Sequence, residues 1–199
     1  MGDGGEPVVH AARGESKGLV NVANSLTLLR IVLVPLFVVL MVASDMTRPG
    51  YRVAAALAFI VASLTDFADG YIARSFNQIT SFGKVADPIA DKALTGTALV
   101  LLSLYGELAW WVTVVIGVRE VGVTALRFWV IRRAVLPASR GGKVKTVLQI
   151  LAIAWYIWPF PDGLVWVGVV LMAAAVVVTV VTGVDYVVRV VRVRRMAAQ

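Results

Sequence analysis

The chain has 199 residues, of which 59% are hydrophobic and only 16% are charged, and its mean hydropathy is +0.84. A soluble domain of this length would be about a quarter charged, so the composition argues against an ordinary soluble domain and predicts a membrane protein. The net charge is +7, but the basic residues lie between apolar runs and at the C-terminus, which indicates membrane topology rather than nucleic-acid binding. The sequence contains no cysteine, so neither disulfides nor thiolate metal sites are expected.

Apolar segments about 20 residues long predict six transmembrane helices. Their approximate limits are residues 26–43, 53–73, 87–105, 110–131, 144–160 and 164–188. Residues 1–18 are polar and glycine-rich, so we expect a flexible tail there, and Asn24 or Ser25 is suited to cap the first helix. The predicted organisation is an all-α integral membrane catalytic domain over residues 19–189, followed by a basic tail over residues 190–199.

The distribution of basic residues predicts the orientation of these spans. Outside the spans nearly all lysines and arginines fall on one side, whereas only Arg48 and Arg52 fall on the other. We therefore expect a multi-pass plasma-membrane protein with both termini in the cytoplasm, whose C-terminal arginines anchor this topology rather than recognise a specific lipid, with attraction to the anionic headgroups of membrane lipids as an accompanying effect. For Arg30, one turn inside the first span, both snorkelling and contact with an anionic ligand stay open.

Four carboxylates interrupt the apolar pattern. Asp66 and Asp69 are three residues apart, and Asp87 and Asp91 are four apart, so in helices each pair shares one face. The first pair ends the second span and the second pair begins the third, so all four can converge at the cytoplasmic interface. Pro88 leaves two alternatives: Asp87 caps the third helix, or that helix begins earlier. Because ionised carboxylates are costly to place in hydrocarbon, we expect a functional site here.

A two-metal site explains this convergence better than the alternatives do. About four negative charges would be balanced by two divalent cations, and oxygen ligands without histidine or cysteine favour Mg²⁺, with Mn²⁺ as the other candidate. Such a metal pair suits displacement at phosphorus. Ion pairs between helices would leave the acids underneutralised, since Arg74 is their only well-placed partner. The ion pathway of a cation transporter stays open as a remote alternative, although a pathway would spread its acids in depth.

The residues between the two acidic pairs suit a phosphorylated ligand. Gly70 and Ala73 leave a strip of helix nearly bare of side chains, so a bulky group can approach the backbone. Arg74 is placed to bind a phosphate, and a loop over residues 80–83, which includes Thr80, is expected to hydrogen-bond one.

The spacing D-x2-D-G-x2-A-R-x8-G-x3-D-x3-D resembles the signature of the CDP-alcohol phosphotransferase family at all eight fixed positions. These positions are Asp66, Asp69, Gly70, Ala73, Arg74, Gly83, Asp87 and Asp91. The resemblance implies a six-helix membrane enzyme, usually a homodimer, in which an alcohol displaces CMP from a CDP-linked lipid. It also implies that the first three aspartates bind metal and that Asp91 is the general base and can touch a metal.

The resemblance further implies a set of CDP-diacylglycerol contacts. These are Asp66, Gly70, Ala73, Arg74 and Thr80, with Asn24 and Thr27 from the segment NVANSLTLLRI.

Shorter segments resemble the branch of the family whose acceptor is sn-glycerol 3-phosphate. They are NVANSLTLLRI, DPIADKAL, VREVGVTALR and GGKVKTVLQ. A dianionic acceptor needs several cations, and we expect Arg119, Arg127, Lys143 and Lys145 to bind its phosphate, the two lysines because their segment resembles that of the family. For Arg119 a structural role, in which Glu120 or another buried acid neutralises it, stays open. Another acceptor such as inositol phosphate is the close alternative, because the signature alone is shared by enzymes with different acceptors.

Overall fold

The computed structural model describes the backbone of residues 22–76, 81–131 and 140–196, and the side chains of residues 28–65, 92–126 and 142–192. Within these ranges all regular structure is helical. The α helices are α1 (Val22–Ser44), α2 (Pro49–Phe76), α3 (Ser81–Leu104), α4 (Trp110–Ile131), α5 (Arg140–Ile157) and α6 (Val165–Met196). A short 3-10 helix, Asp162–Leu164, precedes α6. The prediction of an all-α fold with six long helices is therefore confirmed.

Several helix ends differ from their predicted positions because polar residues continue the apolar helices. Helix α3 begins at Ser81, so Asp87 and Pro88 lie inside it and the alternative with Asp87 as its cap is wrong. Helix α1 begins at Val22, so Asn24 and Ser25 do not cap it.

The C-terminal half of the chain shows the same extension of helices through basic residues. Helix α5 already begins at Arg140, ahead of the predicted start of the fifth span at residue 144. Helix α6 continues to Met196, beyond the predicted start of the C-terminal tail at residue 190. Both helices thus continue through basic residues, beyond the apolar segments from which they were predicted.

A hydrophobic core with contributions from all six helices contains both small and large apolar side chains. Ala55, Ala56 and Ala62 of α2 are buried, and the lack of larger side chains lets the neighbouring helices approach closely. The rings of Phe37 and Phe59 pack with their centroids 5.6 Å apart, and both are fully buried. Helix α1 packs along α2, and α5 packs along α6.

Arg52 ties the beginning of α2 to the end of α5. Its Nε donates to the carbonyl of Ile157 at 3.0 Å, and its Nη2 donates to the carbonyls of Tyr156 at 3.0 Å and Trp158 at 3.3 Å. Its Nη1 donates to the carbonyl of Met46 at 3.3 Å. Arg52 therefore satisfies carbonyls at the end of a helix that the helix itself leaves without partners.

Within the described residues, one helical stretch, Asp162–Arg192, is long and apolar enough to cross a membrane by length and composition alone. Shorter apolar helical stretches are Leu28–Ser44, Pro49–Thr65 and Lys92–Leu104. Many valines of α6 and the indole rings of Trp110, Trp111 and Trp166 are exposed on the outside of the molecule. The six membrane crossings expected from the sequence stay a prediction.

Candidate active site

The four signature aspartates lie towards the connected ends of two consecutive helices. Asp66 and Asp69 are in the C-terminal part of α2, and Asp87 and Asp91 are in the N-terminal part of α3. The helical spacing expected for each pair is therefore present. Their side chains lie outside the described residues, so the metal site stays a prediction. In the part of the chain with described side chains, no group of three or more acids or histidines is suited to a metal ion.

The predicted contacts to CDP-diacylglycerol also lie in or beside these helix ends. Asn24 and Thr27 belong to α1, and Gly70, Ala73 and Arg74 belong to α2. Their side chains, and Thr80 altogether, lie outside the described residues.

The expected phosphate-binding loop at residues 80–83 is corrected by the structure. Residues 81–83 form the first turn of α3, because that helix begins before its apolar run. The connection with α2 is therefore followed by a helix N-terminus and not by an irregular loop. The first backbone N–H groups of this helix have no partner within the helix, and they point towards the connection.

A cluster of charged side chains joins α3, α4 and α5. Glu120 of α4 is its only acid among the described residues. Its Oε2 accepts a hydrogen bond from Lys92 Nζ at 3.0 Å, and its Oε1 accepts one from Arg119 Nη1 at 3.1 Å. Lys145 of α5 donates a further hydrogen bond to the same Oε1. We call these four residues the Glu120 cluster.

Helix α6 completes the surroundings of this cluster. Arg119 Nη2 donates to Thr182 Oγ1 at 3.0 Å, and that hydroxyl donates to the carbonyl of Val178 at 2.7 Å. Gly183 lies directly against the Arg119 side chain, because a Cβ placed there would be 3.1 Å from Arg119 Cγ. One helical turn further along α5, Gln149 Nε2 donates to Thr179 Oγ1 at 3.2 Å. Arg119 is thus held from two sides.

The Glu120 cluster carries a net positive charge and is partly open to its surroundings. Its three cations and one carboxylate give a formal charge of +2. The side chain of Lys145 is 6% exposed, those of Arg119 and Glu120 are 16% and 22% exposed, and that of Lys92 is 35% exposed. Such partly desolvated cations interact with an anion more strongly than surface cations do. The cluster therefore has the charge to attract an anionic group, and Lys92 is its most exposed member.

The structure brings together two of the four predicted acceptor-binding residues. Arg119 and Lys145 meet at Glu120, whereas the side chain of Lys143 is exposed. Arg127 lies in α4 with its side chain outside the described residues. Lys92 was missed as a site residue, although a lysine directly after Asp91 in an apolar helix is a signal for function.

Arg30 of α1 is fully buried within the protein. Snorkelling to the headgroups, one of its two predicted roles, is therefore wrong, because that role requires an exposed guanidinium.

The sequence profile of the CDP-alcohol phosphatidyltransferase family matches residues 20–181. The chain belongs to this family. The CDP-alcohol phosphatidyltransferase match covers the four aspartates and the whole Glu120 cluster, and it leaves the polar N-terminal residues outside. The family is membrane-embedded, which identifies the apolar helices as those of a membrane protein.

Relatives in this CDP-alcohol phosphatidyltransferase family share much of the chain. A probable phosphatidylglycerophosphate synthase of Mycobacterium tuberculosis is 50% identical over 174 residues, which cover 87% of this chain and 83% of the relative. The CDP-diacylglycerol–glycerol-3-phosphate 3-phosphatidyltransferase of Escherichia coli is 38% identical over 172 residues, covering 83% of this chain and 92% of the relative. The protein with the same name in Bacillus subtilis is 38% identical over 186 residues, covering 83% of this chain and 93% of the relative.

Proposed function

We propose that this protein transfers the phosphatidyl group of CDP-diacylglycerol to sn-glycerol 3-phosphate, giving phosphatidylglycerophosphate and CMP. The observation that carries the proposal is the similarity, at 38–50% identity over more than four-fifths of the chain, to relatives named for this reaction. The complete aspartate signature supports the same chemistry, because it is the part of the chain that displacement at phosphorus requires. The acceptor named in these relatives also favours glycerol 3-phosphate over inositol phosphate.

The four aspartates fit a site for two divalent cations. They are all hard oxygen donors, and they lie in pairs with helical spacing at the connected ends of α2 and α3. Asp66, Asp69, Asp87 and Asp91 would hold the ions, for which Mg²⁺ is the leading candidate and Mn²⁺ the alternative. When bound, such ions stabilise negative charge on the attacking and leaving oxygens of an in-line displacement.

Asp91 is the proposed general base. It takes the proton from the primary hydroxyl of the acceptor, whose oxygen attacks the phosphorus attached to diacylglycerol while the bond to CMP breaks. Lys92 follows Asp91 directly and contacts Glu120, so the base lies beside the Glu120 cluster along α3. Proton removal would then occur next to the proposed site for the acceptor.

The lipid donor is proposed to lie along α2 and α1. Arg74 binds its diphosphate, and Gly70 and Ala73 allow it to approach the helix backbone. Asp66, Thr80, Asn24 and Thr27 are the remaining proposed contacts. Both the donor and the soluble acceptor would then meet at the cytoplasmic face of the membrane, which is the orientation expected from the basic residues.

The acceptor phosphate is proposed to bind at the Glu120 cluster. Arg119 and Lys145 bring two cations there, and the cluster's formal charge of +2 matches a dianionic phosphate monoester. Two further cations are proposed to extend this site: Arg127, which lies on the C-terminal side of Glu120 in α4, and the exposed Lys143. We further propose that the protein acts as a homodimer, as is usual in the family.

A headgroup competition assay tests the proposal. Purified protein is given radiolabelled CDP-diacylglycerol, Mg²⁺ and equal concentrations of glycerol 3-phosphate and inositol phosphate, and the lipid products are separated. We expect phosphatidylglycerophosphate and an equal amount of CMP. Labelled phosphatidylinositol phosphate as the main product would instead assign the same chemistry to another acceptor. Metal flux in proteoliposomes without release of CMP would support a cation transporter.

A further inference from the structure

Glu120 organises cations from three different helices. Its Oε1 accepts hydrogen bonds from Arg119 and Lys145, and its Oε2 accepts one from Lys92. Arg119 lies beside Glu120 in α4, whereas Lys92 and Lys145 reach it from α3 and α5. The carboxylate therefore determines where three positively charged groups meet.

The contact with Glu120 matters most for Lys145. Arg119 has a second hydrogen bond to Thr182, and its side chain packs against Gly183. For Lys145, Glu120 is the only hydrogen-bond partner of the ammonium group among the described residues. A lysine side chain has many rotamers, so an ammonium that is 6% exposed needs such a partner to occupy one position.

The hydrogen bonds to Glu120 leave donors for a second anion. An ammonium group has three N–H donors, and the described contacts use one on Lys92 and one on Lys145. In the described part of the chain Arg119 Nε also has no hydrogen-bond partner, but it is buried against Gly183, so the available donors are those of the two ammonium groups. A phosphate group can therefore bind to these cations while they keep their bonds to Glu120.

We propose that Glu120 is a positioning residue for the acceptor phosphate. It acts through Lys145 and Lys92, which it holds beside Arg119, and it does not itself contact the substrate. This inference rests on the proposed function, because it assigns the phosphate of the acceptor to the Glu120 cluster. Since Lys92 directly follows Asp91 in α3, the same carboxylate also holds the part of the helix that carries the proposed base.

The test compares Glu120→Gln with Asp185→Asn in full-length protein purified in detergent. Asp185 pairs with Arg189 at 2.9 Å on α6, and both side chains are about half exposed, so its variant is a matched loss of one carboxylate outside the cluster. The measured quantities are the KM for glycerol 3-phosphate, the KM for CDP-diacylglycerol, kcat and the apparent Tm. For Glu120→Gln we expect a roughly tenfold or larger rise in the KM for glycerol 3-phosphate, with the KM for CDP-diacylglycerol changed by less than about twofold. For Asp185→Asn we expect both constants to stay as in the unaltered protein.

Two further variants separate positioning from simple charge balance. Glu120→Asp keeps the charge but shortens the side chain, so we expect an intermediate KM for glycerol 3-phosphate; this variant also provides the test if Glu120→Gln does not fold. The double variant Glu120→Gln/Lys92→Gln restores the formal charge of +2 without restoring the carboxylate. Because Lys92 is itself proposed to contact the phosphate, the double variant is compared with Lys92→Gln alone. We expect the acceptor KM of the double variant to be the higher of the two, because Lys145 still lacks its partner.

The outcomes distinguish this inference from the proposed function. If the unaltered protein makes no phosphatidylglycerophosphate, the proposed function fails. If the unaltered protein makes this product, the two Glu120 variants decide the inference. Glu120 is not a positioning residue for the acceptor if Glu120→Gln and Glu120→Asp leave the KM for glycerol 3-phosphate unchanged. The same conclusion follows if they raise the KM for glycerol 3-phosphate and the KM for CDP-diacylglycerol equally. An acceptor KM in the double variant no higher than in Lys92→Gln would show that Glu120 only balances charge.

Discussion

The ammonium nitrogen of Lys92 lies 3.0 Å from Glu120 Oε2, and Lys92 directly follows Asp91 in α3. Consecutive residues of an α helix differ by about 100° in direction, so fixing Lys92 against α4 also sets the rotation of α3 at Asp91. The ion pair between two helices therefore links the proposed base to the cations proposed for the acceptor. Substitutions at the proposed base and at the Glu120 cluster therefore test two connected parts of one proposed site.

Replacement of the proposed base should separate chemistry from donor binding. In Asp91→Asn the side chain keeps its size but no longer accepts a proton, so we expect turnover to fall at least about a hundredfold. Binding of CDP-diacylglycerol, measured by equilibrium binding of the labelled lipid, should remain within a few-fold. Asp185→Asn is the control, because Asp185 forms an exposed ion pair elsewhere on α6. Undiminished turnover in Asp91→Asn would mean that another group takes the proton.

Two lysines that are close in sequence should differ in their effect on the acceptor. Lys145 is buried at Glu120, whereas Lys143 is exposed. A charge-assisted hydrogen bond to phosphate contributes roughly 1.5–3 kcal/mol, so Lys145→Gln should raise the KM for glycerol 3-phosphate about tenfold to a hundredfold. For Lys143→Gln we expect a much smaller rise, because a solvated cation interacts weakly. Equal effects of the two substitutions would contradict binding at the cluster.

Removal of divalent metal tests the aspartate site. Because two ions are proposed to balance about four carboxylates, a chelator should abolish release of CMP, and Mg²⁺ or Mn²⁺ should restore it. The concentration dependence of the recovery should be steeper than for one ion. Full activity after exhaustive chelation, checked by elemental analysis of the protein, would exclude a metal site at these residues.

The sequence was sufficient to predict the six helices because long apolar runs require helical backbone in a membrane. It was less informative about helix ends, as Ser81 and Arg140 show, since polar residues continue a helix without any apolar signal. The aspartate pairs could be recognised from spacing alone. The pairing of Glu120 with Lys92 and Lys145 could not be recognised in this way, because these two lysines are separated by 53 positions in sequence and meet only through helix packing.

Arg52 should contribute to stability rather than to catalysis. Its guanidinium donates to carbonyls at the end of α5, and it lies at the opposite end of α2 from Asp66. Arg52→Met leaves the carbonyls of Tyr156 and Ile157 without this donor, whereas the Trp158 carbonyl keeps its bond from the Phe160 N–H. The loss should cost roughly 2–3 kcal/mol and lower the apparent Tm by several degrees. Arg48→Met removes an exposed arginine just before α2 and should leave the Tm nearly unchanged. Both variants should keep their KM values at low temperature; a loss of activity specific to Arg52→Met would reveal coupling across the bundle.

The close packing of Gly183 against Arg119 provides a way to disturb the site from α6. A Cβ at Gly183 would be 3.1 Å from Arg119 Cγ, so Gly183→Leu must displace the Arg119 side chain from its contacts with Glu120 and Thr182. We expect a rise of about tenfold in the KM for glycerol 3-phosphate and little change in the KM for CDP-diacylglycerol. Gly117→Leu in α4 is the matched control, since no atom lies within 4 Å of a Cβ at that position. If Gly183→Leu folds, as its Tm would verify, and its acceptor KM is unchanged, Arg119 does not bind the acceptor. The binding would then be assigned to Lys145.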